Sequence, residues 1–125
     1  MKRERSAPQS IDKFVSGKAA SSVELLHYFI EQFSTVGKVQ AIPAKTMIGI
    51  ATERKRIAYV TQVGRDFVHV VFPCPRAYKD NVCFEKIAPV PGDARQFNHH
   101  LRLRHKDDIN KEVRAFMKMA YEEGS

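Results

Sequence analysis

Apolar residues along this chain change their spacing twice. From Ser21 to Gly37, Val23, Leu26, Ile30 and Phe33 recur at steps of three and four, and Leu25, Phe29 and Val36 widen the stripe. That spacing puts one apolar face on an amphipathic helix. Ser21 and Glu24 have the separation of a capping box at its start, and Gly37 is its stop. A shorter helix is expected before it, opened by Ser10, carrying Ile11, Phe14 and Val15, and closed by Gly17. Near the other terminus Ile109, Val113, Phe116 and Ala120 repeat at four, three and four, with Met117 and Tyr121 alongside. This predicts a closing helix with Asp107 and Asp108 in its first turn, where negative charge suits the helix dipole.

Between the helices the period drops towards two. Residues 39–42 read as a brief strand stopped by Pro43, and residues 46–51 as a second, followed by the charged turn Glu53-Arg54-Lys55. Residues 56–63 and 66–72 flank Gly64-Arg65, a two-residue link suited to a hairpin. Both faces of that hairpin are apolar, which predicts a sheet covered on both sides at its middle. Residues 73–80 read as a loop, residues 82–87 fit a strand or a helical turn equally, and Pro89, Pro91 and Gly92 mark a second irregular stretch. Residues 97–104 alternate strictly. His99, Leu101 and Leu103 face the core; His100, Arg102 and Arg104 form a row on the opposite face, roughly 7 Å apart. The order of helix, strands and helix predicts an α+β domain over residues 10–125. Its form would be a single antiparallel or mixed sheet of about five strands with N-terminal and C-terminal helices packed on it. Residues 1–9, polar and aperiodic, read as a disordered basic tail.

Charge changes this picture more than composition does. Lys and Arg number 21 against 14 Asp and Glu, a net charge of +7, and such a surface favours polyanions because each neutralised phosphate releases a counterion. Part of the excess is local, since Lys2, Arg3, Arg5, Lys13 and Lys18 face Glu4 and Asp12 in the first 18 residues. No apolar run approaches the roughly 20 residues of a membrane span, and the charged start lacks the apolar stretch of a signal peptide, so no membrane partner and a cytoplasmic location are expected. Cys74 and Cys83 lie nine apart, which suits neither a zinc knuckle nor a redox pair; two packed or half-exposed thiols are expected.

Motifs that carry catalysis are missing: there is no Gly-rich phosphate loop, no nucleophile elbow and no His-Glu-x-x-His, which weighs against an enzyme, and no cofactor or metal is implied. The His100, Arg102 and Arg104 row is the best anion-binding candidate, because arginine gives forked contacts to phosphate. The same charges would also protect a strand edge. His99 reads as a packed histidine or as a ligand-binding one. His69, Cys74 and His99 would make a mixed site if they converged. Lys45, at a strand entrance, would bind anions if partly buried.

Several short patterns together resemble a known family. They are Phe14-x-x-Gly17-Lys18 before a long helix, Pro43-x-Lys45-x-x-Ile48, His99-x-Leu101-x-Leu103 and the closing Ala120-Tyr121. They resemble the bacterial domain-of-unknown-function family fifty-six fifty-five, and the chain is distantly similar to the YdhG-like domains, some of them described as frataxin-like iron chaperones. The resemblance implies a compact α+β unit without an established activity, and it marks Lys45, His99 and Tyr121 as candidates for a shared ligand pocket. One departure stands out: the family carries a Ser or Thr cap before the last helix, where this chain has His105 and shifts the cap towards Asp107. The acidic patch of a frataxin-like surface is missing as well. Three functional readings follow. One is a binding module for an anionic partner, either nucleic acid or an acidic protein surface. A second is a small-molecule pocket or weak enzyme centred on Lys45 and His99. The third is a structural or chaperone-like homodimer.

Overall fold

A computed structural model describes residues 11–125 of the protein; the expected tail and the Ser10 cap lie outside the described residues. The elements are α1 (Ile11–Phe14), α2 (Ala20–Val36), β1 (Gln40–Pro43), β2 (Ile48–Ala51), β3 (Arg56–Val63), β4 (Val68–Cys74), β5 (Lys86–Val90), β6 (Asp93–Leu103), a 3-10 turn at Lys106–Asp108, and α3 (Lys111–Gly124). The strands form one sheet in the order β1-β2-β3-β4-β6-β5, antiparallel at every pairing. The α+β class is as expected, but the sheet has six strands rather than about five.

The sixth strand was hidden by prolines. β5 runs through Pro89 and turns at Pro91-Gly92, where Gly92 has a φ of +83°. Pro followed by a left-handed Gly is the chemistry of a type II turn. As an edge strand β5 tolerates Pro89, whose missing N–H would break a ladder in a central strand. β4 likewise continues through Pro73, beyond its pairing with β3 but still in register with Asn98 of β6.

Two sequence expectations about helix caps are corrected. α2 begins two residues earlier than the Ser21–Glu24 box requires, with Ala19 as N-cap and no side-chain cap. Ser22 turns into the protein and donates to the Arg65 carbonyl at 3.0 Å, while Glu24 pairs with Lys106 at 2.8 Å. Asp107 and Asp108 belong to the 3-10 turn, not to α3. The Asp108 carboxylate there accepts from the Arg104 and His105 backbone N–H groups, and Asn110 caps α3 by accepting from Val113 N at 3.0 Å. The hairpin link is displaced by a residue too: Gly64 N–H donates to Phe67 O at 2.8 Å, closing the turn around Arg65 and Asp66.

The core lies on one side of the sheet. Ile48, Ile50, Ala58, Val60, Val70, Phe72, Leu101 and Leu103 face Leu26, Phe29 and Phe33 of α2 and Val113, Phe116 and Met117 of α3 in a single cluster. Phe72 sits between the helices, its ring 6.3 Å from Phe33 and 5.2 Å from Phe116. A register shift between Ile50 and Ala51 places Ile57 beside Ala58, so both reach this core. The opposite face was expected to be covered, and it carries no helix among the described residues. Its one fully apolar buried member on β4, Val71, stands outside the core cluster, across from Tyr59 and His100. The apolar signal on that face comes from residues shielded by long neighbouring side chains, as Phe67 is by Arg102.

Candidate functional site

The bare face is read most directly from cross-strand register. One rung places Gln62 of β3, His69 of β4 and Arg102 of β6 side by side; the next places Tyr59, Val71, His100 and Lys86 side by side. Arg56 joins them from the far end of β3, its side chain lying over Gly49. Partners in register share a sheet face, which is why residues distant in sequence meet here.

At the centre, His69 Nε2 and His100 Nδ1 are 2.9 Å apart. One of these nitrogens must donate and the other accept, so the contact survives only while at least one ring is neutral. Burial is the main cause that holds both histidines below the usual value. The charges of His100 and Arg102 push His69 further in that direction, and that of Lys86 does the same for His100. Glu85 opposes the trend for both. Its Oε2 lies 3.8 Å from His69 Nδ1 and 3.6 Å from Arg102 Nε, ion-pair distances too long for hydrogen bonds. Those two nitrogens are enclosed and find no hydrogen-bond partner among the described residues. The Arg102 guanidinium rests 4.1 Å from the Phe67 ring centroid, a cation–π contact that fixes its plane.

The other candidates separate. Arg104 lies past the end of β6, exposed, and lines a cavity of about 290 Å³ with Ser21, Asp66 and His105. The row of three is therefore a pair on the face plus one residue beyond it. His99 is completely buried on the helix-covered side, as alternation predicted. Its Nδ1 lies 3.1 Å from both the Phe72 and Phe97 carbonyls, its Nε2 accepts from Tyr78 N–H at 3.0 Å, and the rings of Tyr78, Phe84 and Phe116 surround it. All its polar atoms are engaged, so it acts as a packing residue. His69 faces away from His99, so the His69, Cys74 and His99 combination does not assemble. Both thiols are free, Cys74 buried and Cys83 half-buried.

Lys45 is exposed in the β1–β2 turn and lines a cavity with Lys13 and Lys18. Tyr121 lines a different cavity with Lys38 and Arg54, next to the β2–β3 turn at the opposite end of the sheet. Its ring packs so closely on Gly37 that a Cβ there would collide with it. Lys45, His99 and Tyr121 thus share no cavity. The sequence reading also missed Glu85 and the partnership of His69 with His100, although His69 alternates with buried Val68 and Val70 and so had to face away from the core.

The fold and site define a small two-layer α+β domain, helix-covered on one sheet face and, among the described residues, basic and without a helix on the other. The chain belongs to the domain family of unknown function DUF5655, whose family model matches residues 11–124. No curated protein and no solved structure matches it. No helix among the described residues is long and apolar enough to cross a membrane.

Proposed function

We propose that this chain is a binding module whose bare sheet face receives an anionic partner, either a nucleic acid or an acidic protein surface. The supporting observation is that Arg56, Lys86 and Arg102 all lie on the sheet face that carries no helix among the described residues, spread along it with the His69–His100 pair between them. Arg102 is its centre. Held between Phe67 and Glu85, the guanidinium is oriented before a ligand arrives, which lowers the ordering cost of a forked contact to phosphate or carboxylate. The net charge of +7 adds long-range attraction.

The test is fluorescence anisotropy with labelled oligonucleotides and an acidic peptide, at low and near-physiological salt, on the native protein and Arg102→Glu. Binding that persists at the higher salt and weakens at least tenfold in the variant is expected. Equal affinity of the two proteins would remove Arg102 from the binding surface. For a nucleic acid, the variant should also flatten the log–log salt slope by about 0.7–0.9 for every phosphate it no longer neutralises.

A further inference from the structure

We infer that the anionic partner is a single-stranded nucleic acid whose backbone continues from the sheet face into a lysine-lined groove beside Gln62. This inference rests on the reading of the face given above and adds an occupant and a path.

The groove lies where the α1–α2 link meets the end of β3. One cavity of about 430 Å³ is lined by Lys13, Lys18, Lys45, Thr46, Thr61 and Gln62, among others. Its neighbour, about 470 Å³, shares Lys18 and Gln62 and adds Arg65. Among the described residues, every charged side chain lining the two is a cation, and the hydroxyls and the amide are neutral donors. Such a lining suits phosphate oxygens.

Gln62 joins this groove to the face, because it stands in register with His69, which stands in register with Arg102. At the usual strand spacing, Arg102 and Gln62 are separated by roughly 10 Å, and the β1–β2 turn carrying Lys45 adds about 5 Å more. That path accommodates about four nucleotides at the ~3.4 Å rise of a stacked strand.

The rings on the adjacent rung favour an unpaired strand over an acidic protein. Tyr59 and His100 are half-buried on the same face, across Val71 from each other. A cationic track beside partly exposed rings holds a single strand by its phosphates and its base faces together. A duplex hides its base faces, and an acidic peptide has none to stack.

The experiment uses anisotropy at near-physiological salt with a labelled thymidine oligomer of about twelve nucleotides, within the usual single-strand site sizes. A duplex of equal length and a poly-glutamate peptide serve as competitors. The oligomer should bind at least tenfold more tightly than either. Lys18→Glu with Lys45→Glu should weaken it at least tenfold, and Tyr59→Ala about tenfold, with poly-glutamate binding unaffected by the latter. Arg54→Glu with Lys55→Glu, the same charge change at the opposite end of the sheet, should stay within twofold. All four replaced cations are exposed, so unchanged thermal unfolding will confirm that the fold is intact. Equal binding of oligomer and duplex, or native affinity in the Lys18 and Lys45 variant, overturns the inference. Binding of poly-glutamate that needs Arg102 but not Lys18 and Lys45 leaves the wider reading standing and sinks this one. Absence of any Arg102-dependent binding sinks both.

Discussion

Replacing His99 with leucine tests the argument that this histidine is a neutral structural bridge. The side chain is fully buried and connects β4, β6 and the segment after Cys74 through Phe72 O, Phe97 O and Tyr78 N–H. Leucine keeps the bulk but leaves those groups short of a partner, at about 1–3 kcal/mol for an unsatisfied buried group. It also takes away the ring pairs with Phe84 and Tyr78, at centroid distances of 5.0 Å and 5.5 Å, worth about 0.5–1.5 kcal/mol each. A total near 3 kcal/mol corresponds to a fall in Tm of roughly 10–15 °C for a chain of this size. The pH dependence is more specific. Burial lowers the His99 pKa in the folded protein, so the unfolded chain takes up the proton first as the solution is acidified. His99 therefore contributes stability that is complete above the ordinary histidine value of about 6.5 and is lost as pH falls below it towards the folded pKa, at up to about 1.4 kcal/mol per pH unit. His69 and His100 shift in the same direction, so the native protein should lose stability more steeply than one histidine accounts for. Urea unfolding at a series of pH values from about 7.5 down to 5, an interval spanning the ordinary histidine value, measures both effects. His99→Leu should be less stable at neutral pH and should show a flatter acid slope. An acid slope identical to that of the native protein would refute the reasoning, whatever the loss at neutral pH.

Gly37→Ala should cost about 1–3 kcal/mol by overpacking against Tyr121; because the Gly37 backbone is extended, with φ of −178°, the whole cost is steric, and adding Tyr121→Ala should recover most of it in a double-mutant cycle. Asn110→Ala removes the α3 cap and should lower stability by about 1 kcal/mol in chemical denaturation. Burial pushes both thiols up to about 12, so Cys74 and Cys83 should react slowly with a disulfide reagent near pH 8 in the folded protein and rapidly in denaturant.

Sequence patterns revealed what a single element determines for itself. The stripe from Val23 to Phe33 located α2, and strict alternation set His99 inward and Arg102 outward, because period alone decides the face. Boundaries that depend on capping were less legible. Ser21 and Glu24 match a box, yet Ser22 bonds to Arg65 O and Glu24 to Lys106, contacts with distant segments that local spacing does not reveal. Prolines obscured β5, since whether Pro89 is tolerated depends on the strand lying at an edge, and strand order is a property of the whole sheet. The site suffered most from that limit. His69, His100 and Arg102 meet only because β6 pairs directly with β4, and Lys45 and Tyr121 part because consecutive turns of an antiparallel sheet fall at opposite ends.

The two border strands carry a further consequence. β1 is four residues long and ends at Pro43; β5 is five residues long, begins with an exposed lysine and contains Pro89, which offers no N–H. Short, proline-bearing margins make poor templates for growth of the ladder by another chain. Copies of this protein at high concentration should therefore resist fibril formation and strand exchange, and recruitment of a partner by strand addition is disfavoured at both borders.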